Sequence, residues 1–171
     1  MPTTSGPNPL FLREEELRQA MEMLFVAQRD VAAQADPVLD RHGLGRAHHR
    51  VLAFVAREPG ITVTALLDRL KVTKQSLSRV LSELSEGGYV EQGRGLRDRR
   101  QRTLKLTEAG AALERELSER QRALIARAYR EAGAEAVEGF RRVLLGLMSE
   151  GDRARFGERE GAGRAGTARG R

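Results

Sequence analysis

Residues 73–110 read TKQSLSRVLSELSEGGYVEQGRGLRDRRQRTLKLTEAG, and the rhythm of apolar residues changes along them. Leu77, Val80, Leu81 and Leu84 recur at i, i+3, i+4 and i+7, the buried stripe of a helix that Thr73 caps and Gly87-Gly88 ends. After the glycines the period shortens to two. Tyr89–Gln92 and Arg102–Leu106 predict two short strands, the second with Leu104 and Leu106 alternating with Thr103 and Lys105. The nine residues between them hold Gly93, Gly95 and most of an arginine cluster, which puts the charge at a hairpin tip. At Thr107 a helical period returns. Thr107 is an N-cap residue type, Glu108 lies at the positive end of the helix dipole, and the spacing of Ala109, Leu113, Leu117, Leu124 and Ala128 carries the helix to about Ala132.

Working outward, ITVTALLDRL at 61–70 predicts a short helix capped by Thr62 that buries Val63, Leu66, Leu67 and Leu70. The tight turn at Lys71-Val72 joins it to the next helix as a helix-turn-helix. Before it, a helix over about 44–57 presents Leu44, Ala47, Val51, Leu52 and Val55 and stops at Pro59-Gly60. An N-terminal helix over 11–35 carries Leu17, Met21, Leu24, Val31 and Ala35 up to Asp36-Pro37. Downstream, Gly133 breaks the long helix, and a last one over 134–148 presents Val137, Phe140, Leu144, Leu147 and Met148.

The expected fold is mainly α with a small β-hairpin wing: a winged helix-turn-helix flanked by long N- and C-terminal dimerisation helices. Its divisions are a flexible lead (1–10), an N-terminal dimerisation helix and link (11–43), a winged helix-turn-helix lobe (44–107), C-terminal dimerisation helices (108–150) and a tail (151–171). The tail has six glycines, six arginines and no apolar period, the composition of a disordered segment. The outer helices would leave apolar faces bare unless they met a partner, and a two-fold homodimer is the commonest solution.

Composition narrows the function. Thirty Lys and Arg against 24 Asp and Glu give 171 residues a net charge of +6, with a pI near 10.6. Residues 91–105 hold six basic residues against Glu91 and Asp98, a local excess of four positive charges. The absence of cysteine excludes disulfides, thiolate metal sites and thiol-based oxidation sensing. No apolar run approaches a membrane span, so a cytoplasmic protein with no membrane partner is expected. No nucleophile and base pairing, metal spacing or phosphate loop is recognisable, and neither an enzyme nor a cofactor is expected.

The second helix of a helix-turn-helix enters the DNA major groove by its N-terminal half. Here that helix displays Thr73, Lys74, Gln75, Ser76, Ser78, Arg79 and Ser82, with no acid before Glu83. Gln suits adenine, Arg suits guanine, and Ser and Thr suit phosphates or bases. The same face could be the solvent side of an ordinary helix, and the hairpin shifts the balance. Arg94, Arg97, Asp98, Arg99, Arg100 and Arg102 make a wing whose arginines can enter the minor groove. Asp98, two residues before Arg100, can hold and aim that guanidinium, with Arg97, Arg99 and Arg102 contacting phosphates.

Residues 61–110 resemble the winged helix-turn-helix of the MarR (multiple antibiotic resistance regulator) family of bacterial transcription factors. TKQSLSRVLSELSEGGYV is similar to its recognition helix and exit to the wing, Asp98-x-Arg100 to its wing motif, and LTEAG at 106–110 to the start of its long fifth helix. The resemblance implies a homodimer whose terminal helices interlock and whose two lobes read a pseudo-palindromic operator in double-stranded DNA. It implies Arg100 in the minor groove with Asp98 as its partner, and Gln75, Ser76, Ser78 and Arg79 facing the major groove. The tip departs from the family pattern: GRGLR stands where an acidic or proline-bearing tip is frequent, which leaves open whether Arg100 shares the groove with Arg97 or Arg99. Many members also bind small, often aromatic ligands near the second helix, where His48 and His49 are candidate pocket residues. Adjacent residues point about 100° apart on a helix, so these two do not make a metal site, and an interhelical hydrogen bond or an exposed face is the alternative. A basic winged-helix protein that binds DNA or RNA without sequence preference is the alternative function.

Overall fold

The computed structural model describes residues 10–95 and 100–157. A 3-10 turn at Leu10–Leu12 precedes α1 (Glu14–Ala33), followed by α2 (Asp36–Arg41), α3 (Arg46–Arg57), β1 (Ile61–Thr62), α4 (Val63–Leu70) and α5 (Lys74–Glu86). Then come β2 (Val90–Arg94), β3 (Arg102–Leu106), α6 (Glu108–Ala132) and α7 (Ala134–Leu147). The helix-turn-helix is α4 and α5; the wing is β2 and β3. A third strand, β1, is two residues long and pairs antiparallel with β3, Ile61 opposite Leu104, so the sheet order is β1-β3-β2.

The expected threonine caps are all made. Thr62 accepts the Ala65 N–H at 3.1 Å, Thr73 that of Ser76 at 3.2 Å and Thr107 that of Gly110 at 3.0 Å. Each satisfies a backbone donor that a helix start leaves without an intrahelical partner.

The N-terminal helix expected over 11–35 is found as α1, and Asp36-Pro37 not only ends that run but opens a further short helix, α2, in the expected link. Proline lacks only an N–H that the first turn leaves unpaired anyway, and its fixed φ suits a helix start. Arg46 clamps α2 to the start of α3, donating from Nε and Nη2 to the two Asp36 carboxylate oxygens at 2.9 and 2.6 Å. That bonding holds the Asp36 carboxyl below its ordinary pKa and raises the Arg46 guanidinium.

One unit spans residues 1–125 and contains the whole core. Val51, Leu52 and Val55 of α3, Leu66 and Leu70 of α4, and Leu77, Leu81 and Leu84 of α5 are buried against Ile61, Val90 and Leu104 of the sheet. Ala35, Val38 and Leu39 complete it from one end and Leu113 and Leu117 of α6 from the other. The packed lobe thus runs from Ala35 to Leu117, wider than the 44–107 expected.

The second unit spans residues 126–171. Tyr129 and Phe140 meet edge to face, centroids 6.4 Å apart, and no residue of α7 is buried. Residues 150–157 are helical, where a structureless tail was expected to begin. Ser149 starts this helix by accepting the Asp152 N–H at 3.3 Å, and Arg153 turns back to donate to the Leu145 and Gly146 carbonyls at 3.0 and 3.3 Å. Arginine can satisfy the unpaired C-terminal carbonyls of a preceding helix in this way, which composition alone did not reveal.

Candidate nucleic-acid interface

The recognition helix is set by what closes the helix before it. Lys71 ends α4 in the left-handed conformation at φ 52°, its N–H on the Leu67 carbonyl at 3.1 Å, while Arg50 of α3 donates to the Leu70 carbonyl at 3.2 Å. Two end carbonyls of α4 are thereby satisfied and the chain reverses in three residues. On α5, Leu77, Leu81 and Leu84 face inward, and Lys74, Gln75, Ser78, Arg79 and Ser82 line an open groove on the outer side. Thr73 and Ser76, the other two predicted contacts, are bonded to each other: the threonine hydroxyl donates to Ser76 Oγ at 2.8 Å. Their first task is to hold the helix start.

Arg79 does not stand alone. Its Nε donates to Glu83 Oε1 at 2.9 Å, and Glu83 Oε2 accepts from His48 Nε2 of α3 at 2.6 Å. Hydrogen bonds from Arg79 first and His48 second hold the Glu83 carboxyl below its ordinary pKa.

Along the wing the charges are paired in two ways. At its base Glu91 lies opposite Lys105, a favourable cross-strand pair. Toward the tip Arg94 lies opposite Arg102, both exposed, with Gly95 N–H closing the ladder onto the Gln101 carbonyl at 2.9 Å. Like charges directly opposite are unfavourable in the free protein and become favourable against a polyanion. Arg100 is exposed just before β3. Arg97, Asp98 and Arg99, and with them the pairing expected of Asp98 with Arg100, lie outside the described residues.

A model of the MarR family matches residues 42–101, from the end of α2 to the far side of the wing. The HTH-type transcriptional regulator PetP of Rhodobacter capsulatus is 52% identical over 151 residues, covering 88% of this chain and 91% of PetP. The chain belongs to the MarR family. Solved structures share the fold: a MarR family transcriptional regulator from Silicibacter pomeroyi has 23% identity and a TM-score of 0.63, over 76% of this chain and 86% of its own. A mutant MarR from E. coli complexed with operator DNA has 22% identity and a TM-score of 0.62, over 83% of this chain and 100% of its own.

The LTEAG motif of this MarR-family chain has a steric cause. Thr107 donates its hydroxyl to the Gly88 carbonyl at 2.6 Å and its N–H to the Tyr89 carbonyl at 3.1 Å, pulling the start of α6 onto the exit from α5. A Cβ at Gly110 would lie 1.9 Å from the Tyr89 carbonyl oxygen, so only glycine fits there. Tyr89 in turn meets His42, its hydroxyl 3.0 Å from Nδ1 and the rings edge to face at 6.1 Å.

The candidate pocket histidines are adjacent on α3 but serve different neighbours. His48 bonds Gly45 and Glu83, the interhelical alternative of the sequence reading. His49 is half-buried; burial holds its pKa below the ordinary value, and the charge of Glu114 on α6 opposes that shift. Among the described residues no three His, Asp or Glu are grouped to hold a metal ion, and no helix is long and apolar enough to cross a membrane.

Proposed function

We propose that this MarR-family chain is a homodimeric, sequence-specific DNA-binding transcription regulator of the cytoplasm, with α5 in the major groove and the wing on the minor groove. It binds rather than catalyses. The observation that carries the reading is the electrostatic layout of the lobe: a groove of donors and acceptors on α5 beside a wing that sets Arg94 against Arg102. Such a like-charged pair is maintained against its own repulsion and fits a phosphate backbone. Lys74, Gln75, Ser78, Arg79 and Ser82 read base edges in this account, while Arg94, Arg97, Arg99 and Arg102 contact phosphates and Arg100, aimed by Asp98, enters the minor groove.

Exposed apolar residues toward both ends of the chain support the dimer. Among the described residues, every exposed large apolar side chain lies at or before Val26 or at or after Ile125, including Phe25 at 81% and Met21 at 70% exposure. A second copy of the chain supplies the surface that these residues lack. Modulation by a small aromatic ligand is part of the same reading. His49, half-buried beside Glu114, supports a role there better than His48, whose ring nitrogens both have protein partners.

The test is selection of duplexes from a random pool with the full-length protein, followed by affinity measurements at physiological salt. A specific regulator prefers its selected duplex over random DNA by at least about 10³. A ratio near one would replace this reading with that of a non-specific nucleic-acid binder.

A further inference from the structure

Glu83 is shared between two helices: Oε1 serves Arg79 on α5 and Oε2 serves His48 on α3. The other histidine nitrogen decides how His48 takes part. Nδ1 lies 3.0 Å from the Gly45 N–H, and a backbone N–H can only donate, so Nδ1 is the acceptor and Nε2 carries the proton of the neutral ring. The cap at the start of α3 therefore selects the tautomer that donates to Glu83. A chain of contacts runs Gly45, His48, Glu83, Arg79, from the start of α3 to the outer groove of α5. It is anchored at one end and presented at the other, with the His48 side chain 12% exposed and that of Arg79 82%. An unheld arginine samples many rotamers, and ordering one on binding subtracts from affinity.

We propose that His48 is a positioning residue for DNA recognition, holding Arg79 through Glu83 in the orientation that reads the major groove. The inference rests on the DNA-binding reading above. Glu83 is likewise a positioning residue, and neither side chain touches DNA in this account.

Two substitutions separate positioning from helix capping. His48→Asn keeps an acceptor where Nδ1 stands and has no donor long enough for Glu83. His48→Gln keeps a donor at the reach of Nε2 and gives up the cap acceptor. The full-length protein first selects its best duplex from a random pool, and Kd on that duplex is measured for both variants, for Arg79→Ala, and for His48→Asn combined with Arg79→Ala. Arg79→Ala is expected to weaken binding by roughly tenfold to a hundredfold, the range a base-reading arginine commands. His48→Asn is expected to weaken it by at least about threefold, with most of that loss recovered in His48→Gln. The double variant should bind no worse than Arg79→Ala, because His48 acts only through that side chain.

Additive losses in the double variant, or His48→Gln as weak as His48→Asn, would overturn the proposal. Undiminished binding by Arg79→Ala would overturn it as well, leaving nothing to position, while the protein's DNA binding stood. A pool from which no duplex is enriched would remove the DNA-binding reading itself and the proposal with it. If His48→Asn does not fold by circular dichroism, Glu83→Gln takes its place, and the same non-additivity with Arg79→Ala is required of it. Long-range ¹⁵N correlation spectra of the wild-type imidazole add a readout independent of DNA: a proton found on Nδ1 rather than Nε2 contradicts the geometry.

Discussion

Leu52 of α3 and Phe25 of α1 are both large apolar residues on amphipathic helices, yet Leu52 is fully buried and Phe25 is 81% exposed. The contrast extends to whole elements. Among the described residues, the lobe from Ala35 to Leu117 holds every buried hydrophobic one, whereas α1 and α7 bury none. The lobe completes its core within one chain, and the outer helices carry an equally apolar pattern with no such complement. Periodicity shows which face of a helix is apolar but not whose surface will cover it.

The strongest way to break that contrast is to charge the uncovered face. Met21→Glu with Leu24→Glu is expected to weaken dimer association by more than about a thousandfold, since each places an unpaired carboxylate in an apolar contact at a cost of several kcal/mol. Sedimentation should then find monomer in place of dimer; a dimer of unchanged strength would show that α1 is not the contact. Next in size is a matched pair of truncations. Leu52→Ala should lose about 2–5 kcal/mol at any protein concentration. Phe25→Ala should lose stability only where dimer is populated, so denaturant melts at low and high concentration separate the two.

The wing sharpens the contrast further, because there stability and the proposed DNA contact pull in opposite directions. Arg94→Gln removes the repulsion from Arg102 and should raise stability by a few tenths of a kcal/mol. The same change should weaken DNA binding and reduce the slope of log K against log salt by about one. The smallest effect is one of pH. Burial keeps His49 below its ordinary pKa in the folded state, so the unfolded chain takes up the proton more readily. Its contribution to stability is complete above about pH 6.5, falls as the pH drops through that value toward the folded pKa, and then levels off. Thermal melts of His49→Gln across the histidine range should show that limb flattened. Asp36 and Glu83, with lowered pKa values, withdraw their contributions only further down, in the carboxylate range.

Much of the lobe was legible because its signals are local. The stripe Leu77, Val80, Leu81 and Leu84, the caps at Thr62, Thr73 and Thr107, and the alternation of Leu104 with Thr103 each lie within a few residues of what they determine. The features that escaped are contacts between distant segments. β1 is too short to show a period and exists because Ile61 pairs with Leu104. Pro37 read as a stop because the core that receives Val38 and Leu39 is supplied by other elements. Gly110 was part of a recognised motif, but its necessity comes from the carbonyl of Tyr89, twenty-one positions earlier. Glu83 looked like the acid that closes the DNA-facing run, and nothing near it in the chain announces His48 as its partner.

The wing has one more consequence, for how copies of this protein meet. β2 is an outer strand of the sheet, so among the described residues one side of it has no neighbouring strand. Such an edge is a template for the same edge of another molecule, the first step toward fibrous self-association. Here the edge strand carries Arg94, opposite Arg102 on β3, so a second copy approaching that edge meets positive charge. The charge proposed to meet a phosphate backbone at the wing would also oppose the same edge of another copy, one of the ways a strand edge is guarded against cross-β growth.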